Sequence, residues 1–224
     1  MTKQDIIKTA KKLFKNKFKL VPTVISIAPG RINLIGEHLD YNNGVAMPSA
    51  INRWVCVCIS KRKDNKIVVY SENLKSELII NYSLREKPKA LWHKYILGSL
   101  KIFKNKYKAI KGVNIFIYGN IPIGSGLSSS AALEVGLLSS YLKLYDIKIE
   151  KIELAELCQK IEHDYLLINS GLLDQLSSIY SKENHYMFID FRDHSIKYIE
   201  NTIHNSSLLI IDSNIKRELV DTNY

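Results

Sequence analysis

The sequence predicts an α+β fold, and three observations predict it. Short runs rich in β-branched residues, such as 24–28, 66–71 and 113–117, have the length and apolar character of strands. Longer stretches at 91–107, 127–144 and 150–166 space their apolar residues as helices do. No repeat, low-complexity tract or long linker separates the two kinds, so one continuous domain is expected over the 224 residues. Hydrophobic content of 46% and charged content of 24% are ordinary for a chain with a packed core.

The chain opens with Ile6, Ile7, Ala10, Leu13 and Phe14 at helical spacing, flanked by Lys8, Lys11, Lys12, Lys15, Lys17 and Lys19. This is an amphipathic helix with a solvated lysine face. It accounts for much of the formal charge of +10. The lysines are scattered rather than set in a stripe with arginines and aromatics, so the charge does not specify nucleic-acid binding. A basic field still attracts an anionic nucleotide. A strand at 24–28 then enters Pro29-Gly30, and a polar loop runs to about Pro48. Strands follow at 52–59, 66–71 and 77–82, with Asp64-Asn65 as a turn. The helix 91–107 carries Trp92, Tyr95, Ile96 and Leu100 on one side, and the strand 113–117 leads into a glycine-serine loop. Helices at 127–144 and 150–166 and strands at 185–190, near Lys197 and at 208–212 complete the chain.

The three cysteines imply no disulfide framework. Cys56 and Cys58 share one face of a strand, Cys158 lies in a helix, and zinc-ligand spacing is lacking. A reduced, cytoplasmic setting is expected. The start lacks the apolar core of a signal peptide, and no run reaches the length of a membrane span, so no membrane partner is expected. The polar stretch 213–224 ends without a stop signal, so the sequence reads as cut short.

Chemistry concentrates in three segments. Residues 122–132, Pro-Ile-Gly-Ser-Gly-Leu-Ser-Ser-Ser-Ala-Ala, sit between a strand and a helix. Gly124 and Gly126 allow backbone conformations closed to other residues. The first helical amides at 127–131 have no intrahelical acceptor and point at an anion with the helix dipole behind them. No Lys-Ser/Thr follows the glycines, so this is not a Walker A loop. The loop 30–41 gathers Arg31, Asn33, Glu37, His38 and Asp40 between apolar strands. Carboxylates and imidazole can hydrogen-bond several hydroxyls at once, which suits a polyol, and an arginine can steady a transferring phosphoryl group. Glu37, His38 and Asp40 are alternatively a metal-ligand set, or members of a surface salt-bridge loop. In the third segment Asp174 stands between apolar residues and can equally be a helix-capping acid. Glu162 and His163 are ambiguous in the same way.

Taken together and in this order, the segments resemble the galactokinase branch of the GHMP small-molecule kinase family. Residues 30–41 with Asn42-Asn43-Gly44 resemble the galactokinase signature, 122–132 the second GHMP motif, and 171–175 the segment bearing that family's catalytic aspartate. The likeness runs from about residue 10 to the last residue and includes 92–95 and 212–217. Its fold implication is the N-terminal domain of the GHMP kinase fold, a mixed sheet with packed helices. The family's second, C-terminal domain is absent from these residues. Residue by residue, the resemblance implies Asp174 and Arg31 as the catalytic pair. It implies Glu37, His38, Asp40, the Gly171 backbone, Asp174 and Tyr224 as sugar contacts. Gly124, Ser125, Gly126, Leu127, Ser128, Ser129 and Ser130 would hold the phosphates, and Trp92 would lie near the adenine. Ser130 and Glu162 would bind Mg²⁺ with hard oxygen donors. Leu172-Leu173 stands where Ile-Met is more usual. The implied reaction is ATP-dependent phosphorylation of D-galactose at its anomeric hydroxyl, with weak or no activity in a truncated chain. Association with a separate C-terminal half is a further expectation. A galactose- and ATP-sensing regulator, or a kinase for a related sugar, are the alternatives.

Overall fold

The computed structural model describes residues 1–202 and 208–211. The first helix, α1 (Lys3–Phe18), begins at a capping box, in which Asp5 N donates to Thr2 Oγ1 at 3.2 Å and Thr2 N to Asp5 Oδ2 at 2.8 Å. Its Ile6, Ala10 and Phe14 are fully buried, while all six lysines of the basic run are exposed.

Five strands form the larger sheet: β1 (Val24–Asn33), β3 (Pro48–Lys61), β4 (Lys66–Ser71), β5 (Ser76–Asn81) and β6 (Val113–Gly119). Their order is β1-β3-β6-β4-β5. Only β4 and β6 run parallel, since the chain between them contains α2 (Leu91–Tyr107), as a crossover requires. Alternation along β3 sorts the two faces. Cys56 and Cys58, with Phe116 of β6, meet α1, and Val55, Val57 and Ile59 join the main core. That core contains α2, α3 (Ser129–Leu144) and α4 (Lys151–Ile161). Gly136 lets α3 close on the sheet, because a Cβ there would stand 2.9 Å from Val57 Cγ2. All three cysteines are buried free thiols.

A smaller sheet, β2 (Val45–Ala46), β7 (His185–Asp190) and β8 (Ser195–Glu200), packs on α5 (Leu173–Tyr180) through Ala46, Leu176, Met187 and Ile189. No described helix is long and apolar enough to cross a membrane.

Several boundaries differ from expectation, and the differences bear on the site. The first strand continues to Asn33 because a register shift between Pro29 and Arg31 carries it past the proline. The polar loop up to Pro48 is partly regular, with a 3-10 turn at Asp40–Asn42 and β2. The helix expected from 127 begins at Ser129, and the one expected to reach 166 ends as a π-helical turn at Glu162–Leu166. The helix α5 has no counterpart among the sequence expectations. Of the strand expected at 208–212, residues 208–211 are exposed and not in a strand. A strand exists through its ladder, and these residues pair with none of the described strands. Asp212 and the expected match at 212–217 lie outside the described residues.

Candidate active site

The end of β1 and the start of α3 meet through their backbones. Arg31 N donates to Leu127 O at 3.2 Å, and a Cβ on Gly30 would lie 2.6 Å from that same oxygen. This contact brings the Arg31 guanidinium to the glycine-serine loop, where Nη1 donates to Gly126 O at 2.7 Å. Its Nε donates to Asp174 Oδ1 at 2.6 Å. Ser128 Oγ donates to the other oxygen of Asp174. Ser128 therefore does not cap α3, although it holds the N-cap position with φ +57°. The first helical bond runs from Ala132 N to Ser128 O, so the amides before it lack intrahelical acceptors. Gly124 and Gly126 have φ +77° and +73°, and a Cβ at either would meet open space. Backbone conformation, not crowding, explains these two glycines.

Opposite the loop, α5 begins beside Asp40. Leu173 N donates to Asp40 Oδ2 at 3.3 Å. A Cβ on Gly171 would lie 2.0 Å from that oxygen. Burial pushes the Asp40 carboxyl up, the Leu173 amide opposes the shift, and the Asp174 charge adds to it. Glu37 and His38 lie at the exposed rim, with His38 Nδ1 2.5 Å from the Tyr41 hydroxyl. A cavity of about 410 Å³ joins these groups. Arg31, Glu37, His38, Asp40, Gly171 and Asp174 line one part of it, and Gly126, Leu127, Ser130 and Glu162 another.

The floor is a buried polar cluster. Glu162 opens the π-helical turn and accepts from Ser170 Oγ and, at 3.2 Å, from Gln175 Nε2. π-turns are frequent at functional sites because they re-aim side chains within a helix. Burial pushes the Glu162 carboxyl up to about 7, the Ser170 bond opposes the shift, and Asp174 adds to it. Glu134, wholly buried in α3, is pushed well above the carboxylate range by burial and then by Glu162. One consequence is measurable in the metal-free chain. The folded Glu162 keeps its proton between its ordinary 4.5 and about 7, where the unfolded chain has lost it. This stabilisation is present at low pH and lost as pH rises through about 7. Asp64 and Asp190, held at about 2 by Arg62 and Arg192, titrate below that window. His93, whose imidazole burial holds below its ordinary value, acts in the opposite sense within this window. Between about pH 5 and pH 7.5 the urea midpoint is therefore expected to fall by more in the parent chain than in Glu162→Gln; the same pH dependence in both excludes the buried acid.

Glu37, His38 and Asp40 do not form a metal cluster, since among the described residues no group of three or more His, Cys, Asp or Glu is arranged to hold an ion. Their expected alternative as ligands fails because Asp40 turns to α5 while Glu37 and His38 stay at the rim. Ser125 Oγ donates back to Pro122 O at 2.8 Å, and with Gly124 and half-buried Ser129 it lies beyond the cavity lining. Trp92 sits at the first turn of α2 with its ring centroid 4.5 Å from that of His93, packs on the main core and does not line the cavity. Tyr224 lies outside the described residues.

A family model of the GHMP kinases N terminal domain matches residues 94–182, and one of the galactokinase galactose-binding signature matches residues 12–61. The chain belongs to the GHMP kinase family. Among its relatives in this family, a galactokinase of Staphylococcus carnosus is 37% identical over 224 residues, covering 98% of this chain and 58% of that protein. A galactokinase of Clostridium perfringens is 35% identical over 222 residues, with 97% and 57% covered. The chain thus spans a little under three fifths of the curated relatives it matches. The crystal structure of Lactococcus lactis galactokinase complexed with galactose superimposes with a TM-score of 0.79 at 30% identity, covering 93% of this chain and 57% of that one. A mevalonate kinase, at 22% identity and TM-score 0.68, shares the GHMP kinase fold.

Within this GHMP kinase fold, three features escaped the sequence reading: Glu134, the bridging role of Gln175, and the bond from Ser128 to Asp174. For Glu134 a signal exists. It is the one charge in the apolar run 131–138, where a solvated face has no room.

Proposed function

We propose that this chain supplies the sugar- and phosphate-binding machinery of a galactokinase, which transfers the γ-phosphoryl group of ATP to the anomeric hydroxyl of D-galactose. The observation that carries it is Asp174, held by Arg31 and Ser128 at the mouth of the glycine-serine loop. The acid therefore stands between the proposed phosphate site and the proposed sugar site. Galactose hydroxyls are bound by Glu37, His38, Asp40 and the Gly171 backbone, which places the anomeric hydroxyl against Asp174. As that oxygen bonds to the γ-phosphorus, the bond from phosphorus to the β-γ bridging oxygen breaks. Asp174 takes or orients the hydroxyl proton, and the products are ADP and galactose 1-phosphate. Arg31 and the loop amides stabilise charge on the transferring group. Loop residues 124–130 cradle the phosphates, and the family resemblance alone assigns Trp92 to the adenine and Tyr224 to the sugar.

The Ser130 hydroxyl and the Glu162 carboxyl, both on the cavity lining, are hard oxygen donors that fit a divalent cation. The Gln175 amide joins Glu162 to a second buried carboxyl, Glu134, so two acids meet beneath the loop. Bound there, Mg²⁺ would neutralise phosphate charge.

The test is sugar-dependent ADP release by the purified chain with Mg-ATP and a panel of hexoses and pentoses, alongside galactose binding by calorimetry. Galactose is expected to bind and to stimulate release above other sugars. Preference for another sugar overturns the substrate assignment. Binding of galactose and ATP with no release overturns catalysis by this chain and favours a sensing role.

A further inference from the structure

Two acceptor atoms beneath the glycine-serine loop have no hydrogen-bond partner, Glu134 Oε1 and Gln175 Oε1. Both residues are wholly buried. An unpaired interior acceptor forfeits its hydration without return, so side chains of this kind are retained for a reason other than packing. Glu134 lies on α3, where its neighbours Ala131, Val135 and Leu138 are buried apolar residues. A leucine would serve the core at least as well.

What Glu134 does hold is Gln175. The Gln175 amide lies 3.3 Å from Glu134 Oε2 and 3.2 Å from Glu162 Oε2, so one NH₂ group bridges carboxyls from α3 and from the π-helical turn after α4. Ser170 Oγ donates to the same Glu162 oxygen. With both donors on Oε2, Glu162 receives no hydrogen bond at Oε1 from any described residue, and its side chain lines the cavity. Gln175 also directly follows Asp174, so its anchoring fixes the first turn of α5 from which Asp174 projects. We propose that Glu134 is a positioning residue that, through Gln175, holds the Glu162 carboxyl with its free oxygen toward the cavity, ready for a phosphate-bound divalent cation. This rests on the phosphate-site assignment made above and extends it to a residue that touches neither sugar nor nucleotide.

Three substitutions separate positioning from packing. Glu134→Leu removes the acceptor that steadies the amide. Gln175→Met removes the bridge and keeps Glu134. Glu134→Gln keeps an acceptor for the Gln175 amide and adds an N–H for its unpaired oxygen. Uptake of Mn²⁺ by the full chain in the presence of ADP, followed by the electron paramagnetic resonance of free Mn²⁺, needs no turnover and no sugar. Glu134→Leu and Gln175→Met are expected to weaken Mn²⁺ uptake by about tenfold or more, as loss of a ligand's hydrogen-bonded support does. Glu134→Gln is expected to stay within about twofold of the parent chain, and metal-free ADP binding to be unchanged in all three. If Glu134→Leu fails to fold, Gln175→Met and Glu134→Gln carry the comparison alone. Unchanged uptake in Gln175→Met overturns the proposal, and so does a loss in Glu134→Gln equal to that in Gln175→Met. A parent chain that takes up no Mn²⁺ with ADP overturns the phosphate-site assignment itself. That result is distinct from variants that match a parent which binds.

Discussion

Asp174→Asn is expected to lower galactose-dependent ADP release by about 10²–10⁴-fold while galactose binding stays within a few-fold of the parent chain. Asparagine keeps the shape of the side chain, so the cavity is preserved. Its Oδ1 still accepts from Arg31 Nε, now 2.6 Å from the carboxylate. The other oxygen becomes an NH₂ group, and Ser128, which donates there, must turn its hydroxyl to accept. In the proposed mechanism, what is lost is a group able to take a proton from the sugar hydroxyl, together with the charge that sets Arg31 against the phosphoryl group. Loss of base function lowers kcat, whereas loss of positioning raises KM. Stability should change little, because Arg31 keeps Gly126 O as a partner at 2.7 Å. A coupled assay for ADP with calorimetry for galactose checks both halves. Release within about tenfold of the parent chain would remove Asp174 from the chemistry.

The polar loop at 30–41, the glycine-serine loop and the segment around Asp174 were legible because each breaks a local rule. Charge is concentrated between apolar strands, glycines precede a serine-rich helix start, and an acid stands among leucines. Their assembly was not legible from spacing. Arg31 and Asp174 are separated by 143 positions, and their pairing came from the resemblance alone. It depends on the bulge after Pro29 that lets β1 continue to Asn33, and on a backbone contact with Leu127 that no periodicity encodes. The helix α5 was hidden for a related reason. It has eight residues and opens with no side-chain cap at Leu172, so neither length nor capping announces it. Glu134 was missed because a glutamate in a helix is ordinarily solvated. Whether it is depends on what covers that face, here Tyr95, Cys158 and the π-helical turn, which supply or feel its field. The fold class and the strand–loop–helix carrying the proposed phosphate site followed from pattern. The strand expected at 208–212 did not form over its described residues, because β-propensity without a neighbouring strand stabilises nothing.

Gly171→Ala is expected to weaken galactose binding by about 10- to 100-fold while leaving ADP binding within about twofold. The methyl group would arrive 2.0 Å from Asp40 Oδ2 and 2.2 Å from its Cγ, far inside van der Waals contact. One of the two must move by more than an ångström. If the carboxyl moves, it loses the Leu173 amide that now holds it at 3.3 Å and with it the pose offered to the sugar. If the backbone moves, the first turn of α5 moves too, and Asp174 shifts against Arg31 and Ser128. Either route damages the sugar side first, because the three atoms nearest a Cβ on Gly171 all belong to Asp40, while the glycine-serine loop is carried by β6 and α3. This differs from the reason for glycine at 124 and 126, where the constraint is backbone conformation and the space is open. Titrating the variant with galactose and, separately, with ADP distinguishes the outcomes. Unchanged galactose affinity would mean that Asp40 yields without consequence and is not a sugar contact. Equal losses for both ligands would mean that the whole cavity had collapsed. A loss confined to the sugar places the Asp40–Gly171 contact in the proposed acceptor site, where α5 packs against the polar loop.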